Sequence, residues 1–288
     1  QDDIRMEATA SDLNADLSKI DDIFSDKTGT LTNNQMVFKK MGLGDRIVHD
    51  EVAQPGIVGE RLRQHFGKSI LSASQKQIHV TSDDARLPNS LQCLDNISDE
   101  EELRQRSFMM HYMLNLLLDN ELIVENGEYG GESPDEICLA KTAAQNGFIL
   151  LNQNDSQTEV EINGRKHIFP KIYTIKFTPD RKRMSVIVQY PKSFLEQFPW
   201  FKPAGYDFKT DGNHPAPCVC YTKGADSFLY PLLKKGSTDQ ERELISRMID
   251  KSQEYLDDFG TEGLRTLLLC HRIVDSRDAD LWRKKYIK

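Results

Sequence analysis

No stretch of this 288-residue chain is apolar for long enough to span a bilayer. The most apolar run, residues 108–118, is about half the ~20 residues a transmembrane helix needs, and His111 and Asn115 interrupt it. A surplus of cations is also lacking. Lys plus Arg number 37 against 45 Asp plus Glu, a net charge of −8. That balance speaks against nucleic-acid binding, which needs excess Lys and Arg to neutralise phosphates. The five cysteines, Cys93, Cys138, Cys218, Cys220 and Cys270, are odd in number and scattered. They contain no Cys-x-x-Cys pair to open a zinc site, and the seven histidines show no metal spacing. Reduced cytosolic thiols are the expectation. Gln1-Asp2-Asp3 is acidic where a secretory leader would be basic. Gly42-x-Gly44 lacks the rest of a dinucleotide fingerprint.

What is present is ordinary for a globular chain: 38% hydrophobic and 28% charged residues. The length suits one and a half to two domains. Residues 11–14 read as a loop or cap, and 20–25 as a short buried strand. Residues 43–98 are polar and irregular, with strand propensity only around 78–80, so 45–98 reads as a variable surface insertion. Ser98-Asp99-Glu100-Glu101 resembles a capping box before a helix to about Asp119, whose Met and Leu stripe reads as core. Ser133 as N-cap and Pro134 at the first helical position open a second helix, which Asn146-Gly147 ends. Strands follow over 148–188, with Asn163-Gly164 as a hairpin turn, and again over 218–223. There, Cys218 and Cys220 would share a face. Helices are expected at about 226–235 and 238–258, an apolar strand over 264–273 and a last helix over 276–286. The predicted class is α+β, a mixed antiparallel sheet with flanking helices.

The sharpest chemical signal is Asp26-Lys27-Thr28-Gly29-Thr30-Leu31-Thr32. An acid at the carboxyl end of a buried strand stands where open α/β sheets bind ligands. Lys27 can meet phosphate charge, Gly29 lets the backbone turn sharply, and Thr28, Thr30 and Thr32 offer hydroxyls. This suits a carboxylate nucleophile that accepts a phosphoryl group. Downstream, Phe177 precedes a basic stretch, Arg181-Lys182-Arg183; an aromatic ring can stack on adenine while cations offset phosphate charge. Lys223-Gly224-Ala225-Asp226 puts small residues beside a lysine, so a ligand could lie against the backbone. Arg265 enters an apolar strand, and an Arg at a buried edge needs a partner. His271 reads as structural.

The heptapeptide resembles the phosphorylation motif of P-type ATPases, members of the haloacid-dehalogenase-like superfamily. Phosphatases of that superfamily usually carry a second, general-acid Asp two residues after the nucleophile; Thr28 stands there and cannot serve. The resemblance continues in order through Glu132-Ser133-Pro134-Asp135-Glu136, the string 177–186, Lys223-Gly224-Ala225-Asp226, Gly263-Leu264-Arg265-Thr266-Leu267 and Asp278-Ala279-Asp280-Leu281-Trp282. In detail it is similar to type IV members, the phospholipid flippases. It covers the first 40 residues and most of 105–288, and not 45–98. The helix continuation Cys138-Leu139-Ala140 departs from the small-residue run of the family.

The resemblance implies a chain divided into 1–42, the start of a phosphorylation domain with a first-strand fragment of a haloacid-dehalogenase-like α/β fold and a first hinge, and 43–288, a nucleotide-binding domain with a second hinge near 275–288. It implies ATP and Mg²⁺ as cofactors. Asp26 would be the phosphorylated residue, and Asp26 and the Thr28 carbonyl would hold the metal. Lys27, Thr28, Glu136, Phe177, Ser185, Lys223, Gly224 and Arg265 would bind nucleotide, with adenine near Phe177 and Glu136 and phosphates near Lys223 and Arg265. The parent protein would be an ATP-driven phospholipid translocase at the cytosolic face of a membrane, with an accessory β-subunit and with membrane helices outside these residues. As an excised fragment, the chain would bind nucleotide without turning it over. An ion-pumping P-type ATPase, a haloacid-dehalogenase-like phosphatase and a non-enzymatic ATP sensor are the rival readings.

Overall fold

The structure is a computed structural model that describes residues 19–27, 29–33, 35–43, 46–49, 100–201 and 216–286. The expectations for 11–14, Thr28, 78–80, Ser98 and Asp99, and for most of the 45–98 insertion, lie outside the described residues. The chain divides into two compact units, Gln1–Met36 and Val37–Lys288.

In the first unit the strand expected over 20–25 does not form. Ile23 and Phe24 are 86% and 96% exposed, and no described strand supplies a ladder to pair with. β-branched and aromatic residues favour a strand only where a neighbour completes its hydrogen bonds and covers its face. The haloacid-dehalogenase-like strand therefore stays an expectation. The loop after it does turn as expected. The Leu31 and Thr32 amides both donate to the Lys27 carbonyl, at 3.0 and 3.1 Å. Gly29 takes φ +81°, a conformation that side chains resist.

The second unit opens with a hairpin, β1 (Lys40–Leu43) and β2 (Arg46–His49). β2 corrects the irregular reading of its stretch: Ile47 and Val48 pair in register with Gly42 and Met41 along the antiparallel ladder. Helix α1 (Glu100–Leu118) follows, then a short hairpin of β3 (Ile123–Glu125) and β4 (Glu128–Gly130). Helix α2 (Pro134–Gln145) starts where the sequence predicts. Ser133 accepts from the Glu136 amide as N-cap, Pro134 supplies the first turn, and Gly147 at φ +82° ends it.

The main sheet has six strands: β5 (Phe148–Gln153), β6 (Gln157–Ile162), β7 (Arg165–Ile175), β8 (Arg183–Gln189), β9 (Cys218–Gly224) and β10 (Leu268–Val274). Every neighbour in space is a neighbour in sequence, and every pairing is antiparallel rather than mixed. β7 changes partner midway. Residues 165–170 pair with β6, and from Lys171 the strand pairs with β8. Pro170, which has no amide to donate, stands at that changeover.

Alternation assigns the two faces. Val186, Val188, Val219 and Tyr221 join the principal core with Met109, Met110, Met113, Leu114 and Leu116–Leu118 of α1. Ile187, Cys218 and Cys220 point to the other face, where helix α6 (Ser276–Tyr286) packs Ala279 and Trp282. Helix α3 (Lys192–Gln197) is pinned to the sheet by His167, whose ring nitrogens bond Ser193 at 3.0 Å and Gln197 at 2.7 Å.

Two expected elements differ. The helix expected over 226–235 is only α4 (Asp226–Leu229) and a 3₁₀ turn (Tyr230–Leu232), because Pro231 cannot continue an α-helical ladder. Helix α5 (Asp239–Thr261) then runs slightly longer than expected. The strand expected from Leu264 begins at Leu268, after Gly263 has turned the chain at φ +74°. Among the described residues no helix is long and apolar enough to cross a membrane.

Candidate nucleotide site

Two strand ends, one helix start and one helix end meet around Lys223. It lies on the α1 side of β9, in step with Val219 and Tyr221, opposite Met184 and Leu269. Only 7% of the residue is exposed. A buried ammonium needs partners, and Lys223 has two. It donates to Glu136 Oε1 at 2.7 Å and to the backbone carbonyl of Asp119, just past the end of α1. The second oxygen of Glu136 accepts from the Glu121 amide at 3.0 Å. Glu136 is thus tied to β9 and to the α1–β3 connection while it sits in the first turn of α2.

Arg265 corrects its reading as a cation at a buried edge. It precedes β10, its side chain is 71% exposed, and it pairs with Asp135 Oδ2 at 2.9 Å. The neighbouring acids of the α2 N-terminus, Asp135 and Glu136, therefore each hold one of the two cations expected at the phosphates. Phe177 follows the end of β7 and is 57% exposed, so its ring is open to stacking rather than part of the core. Its neighbour Lys176 pairs with Glu121 at 2.6 Å, which ties this rim to the Glu136 network.

The turn after Phe177 is firmly closed. Lys182 donates its amide to the Thr178 carbonyl at 2.8 Å, and Arg181 Nη1 reaches the Lys176 carbonyl at 2.8 Å. Gly224 lets that turn approach: a Cβ there would come within 2.5 Å of the Lys182 carbonyl oxygen. In this structure its small size serves backbone against backbone. Ser185 lies opposite Thr222 and accepts from its hydroxyl at 2.9 Å, on the sheet face away from Lys223. The structure brings Glu136, Lys223 and Arg265 to one helix start and does not bring Ser185 to it.

Asp26 and Lys27 belong to the first unit, both exposed, with Ser25 Oγ donating to the Asp26 carbonyl at 3.2 Å. Thr28 is outside the described residues. Among the described residues no three His, Cys, Asp or Glu side chains converge as a metal site.

The sequence reading missed Asp119 and Glu121 as site residues, the pairing role of Asp135, and the action of Arg181 on Asp119. Asp119 is completely buried, and among the described residues neither carboxylate oxygen has a hydrogen-bond partner of good geometry, the Lys223 amide being the nearby donor that acts on it. Burial pushes its pKa up to about 7; Lys223, through its charge and its nearby amide, and Arg181 draw it down, while Glu136 adds to the rise. One local signal pointed to it. An acid directly after an apolar helix sits at the negative end of the helix dipole, where a base is favoured.

Residues 109–286 match the family described as P-type ATPase, cytoplasmic domain N. Phospholipid-transporting ATPase DNF2 of Saccharomyces cerevisiae is 29% identical over 297 residues, covering 94% of this chain and 17% of its own length. Phospholipid-transporting ATPase IC of Homo sapiens is 28% identical over 289 residues, covering 99% of this chain and 20% of its own. A phospholipid-transporting ATPase of Schizosaccharomyces pombe is 27% identical over 285 residues, with 94% and 19% covered. The chain spans about a fifth of the length of these relatives. With its six-stranded antiparallel sheet and its helix-start cluster of paired charges, the chain belongs to the P-type ATPase family, and residues 109–286 are the cytoplasmic domain N.

Proposed function

We propose that this domain binds ATP for an ATP-driven phospholipid translocase and that Asp26 is the residue phosphorylated in the intact protein. The observation that carries the binding reading is the Lys223–Glu136 pair at the start of α2, with Arg265 on the adjacent Asp135 and the exposed Phe177 next in the chain to Lys176, which pairs with Glu121. Adenine stacks on Phe177 beside Glu136. The triphosphate draws on Lys223 and Arg265, exchanging their carboxylate partners for phosphate oxygens. The relatives named as phospholipid-transporting ATPases support the choice of substrate class. The accessory β-subunit and the place at a cytosolic membrane face rest on family resemblance.

In the phosphorylation step a carboxylate oxygen of Asp26 attacks the γ-phosphorus. The bond to the β,γ-bridging oxygen breaks, and ADP leaves with its electron pair. Thr28 in place of a general-acid Asp favours a phosphoenzyme that persists. The Asp26 carboxylate and the Thr28 carbonyl are hard oxygen donors of the kind Mg²⁺ takes, and the ion would neutralise charge on the transferring group.

Titration of the chain with a non-hydrolysable ATP analogue tests the binding reading. Phe177→Ala is expected to weaken binding about tenfold, the scale of one lost base stack. Lys223→Ala is expected to weaken it as well, and Asp26→Asn to leave it unchanged. Equal losses from all three would sink the assignment of separate binding and acceptor residues. In the intact protein, labelled ATP and Mg²⁺ should yield an acid-stable, hydroxylamine-labile phosphate that Asp26→Asn abolishes.

A further inference from the structure

Asp119 is expensive to keep. A buried acid with so little hydrogen bonding loses its solvation with little return, and the carboxyl end of a helix disfavours its charge. Groups held at such cost collect at functional sites. The surroundings of Asp119 supply a reason. Lys223 of β9 bonds both the Asp119 carbonyl and Glu136 of α2. Arg181, from the turn between β7 and β8, acts on the Asp119 carboxyl, and the Cys220 thiol of β9 senses it in turn. Glu121, two residues on, is paired with Lys176. With Asp119 uncharged, Lys223 and Arg181 together outweigh Glu136 by one positive charge. With Asp119 ionised, that surplus vanishes.

We infer that Asp119 is a further positioning residue of the nucleotide site and acts through Lys223: its uncharged carboxyl leaves the ammonium's charge to the incoming anion, and its carboxylate takes that charge away. The inference rests on the ATP reading above. An anionic nucleotide favours the protonated carboxyl, so binding to the ionised form takes one proton from solvent onto Asp119. Because burial places this ionisation near neutrality, affinity is highest below about pH 7. It falls as pH rises, by at most about tenfold per unit.

The test is calorimetric titration of the chain with ATP and excess Mg²⁺ at about pH 6 and about pH 8.5, each in two buffers of different ionisation heat, for wild type and Asp119→Asn. The wild type is expected to lose about thirtyfold in affinity at the higher pH and to take up about one proton there. Asp119→Asn is expected to lose both effects. The ligand's own ionisation is common to the two proteins and cancels between them. Equal pH slopes in both, or no proton uptake by the wild type, overturns the inference and leaves the ATP reading standing. Absence of binding at either pH defeats the ATP reading and this inference with it. If Asp119→Asn does not fold, carboxyl ¹³C resonances of the wild type decide: an aspartate titrating near neutrality and moved upward by ATP supports the role, and none doing so overturns it.

Discussion

His111 is 7% exposed, with its Nδ1 3.0 Å from the Tyr221 hydroxyl and its ring stacked on that of His271 at 3.6 Å. Burial, aided by the neighbouring His271, holds its pKa well below the ordinary value. The unfolded chain takes a proton on this imidazole as pH falls through about 6.5, and the folded chain does not. Stability is therefore lost on that side of neutrality, by up to about 1.4 kcal/mol per pH unit. Asp119 works in the opposite sense. Its folded pKa of about 7 lies above the unfolded value, so its contribution to stability is greatest in acid and is lost as pH rises toward 7. Urea midpoints at about pH 7.5 and about pH 5.5 separate the two. His111→Gln is expected to lessen the acid loss, and Asp119→Asn to raise stability at the higher pH. Phe177→Ala should leave the melting temperature unchanged, because an exposed ring contributes little to folding. Lys223→Ala should lower it, at a cost of about 1–3 kcal/mol, because the partly buried Glu136 loses its cation and keeps only the Glu121 amide. Comparing melting with binding in these two variants separates folding from ligand contact.

Helix α2 and the β8–β9 corner set the geometry at the next scale. Ser133→Ala removes the side chain that accepts the Glu136 amide, and about 1 kcal/mol of stability is expected to go with it in chemical denaturation. Because Asp135 and Glu136 ride on that first turn, a modest loss of ATP-analogue affinity should accompany it. Gly224→Ala tests the corner. Its Cβ would meet the Lys182 carbonyl at 2.5 Å, on a turn that Arg181 locks from within, and Arg183 Cβ at 2.6 Å, at the start of β8. Either the turn shifts or β9 slips, so the variant is expected to melt lower than wild type. These elements were legible in the sequence because their signals are local: Ser133-Pro134, Asn163-Gly164 and Gly147 act within a few residues of themselves. The strand expected over 20–25 did not form, because a strand depends on a partner its own residues cannot provide. The extent of β10 was overestimated for a related reason: an apolar run does not say where its ladder begins.

At the scale of the whole chain, a net charge of −8 predicts no measurable binding to duplex DNA in fluorescence polarisation at about 0.15 M salt. The sheet is a simple meander in which each strand pairs with its neighbour in sequence. Such an order follows from hairpin signals read one after another, and so the α+β class could be read from the chain. The candidate site could be read only in part. Glu136, Lys223 and Arg265 were identifiable as residues, but not the fact that two adjacent acids of one helix turn hold both cations. Lys223 and Glu136 are 87 residues apart in the chain. By itself the sequence determined what turns on neighbours along the backbone: helix caps, hairpin turns, the alternation that sorts Cys218 and Cys220 from Val219 and Tyr221, and the motifs that carry the family. Only the tertiary structure decided which charges meet and which carboxyl is sealed from water. Ion pairing and desolvation depend on distance through space and on what excludes solvent, and neither is written in the spacing of residues along the chain.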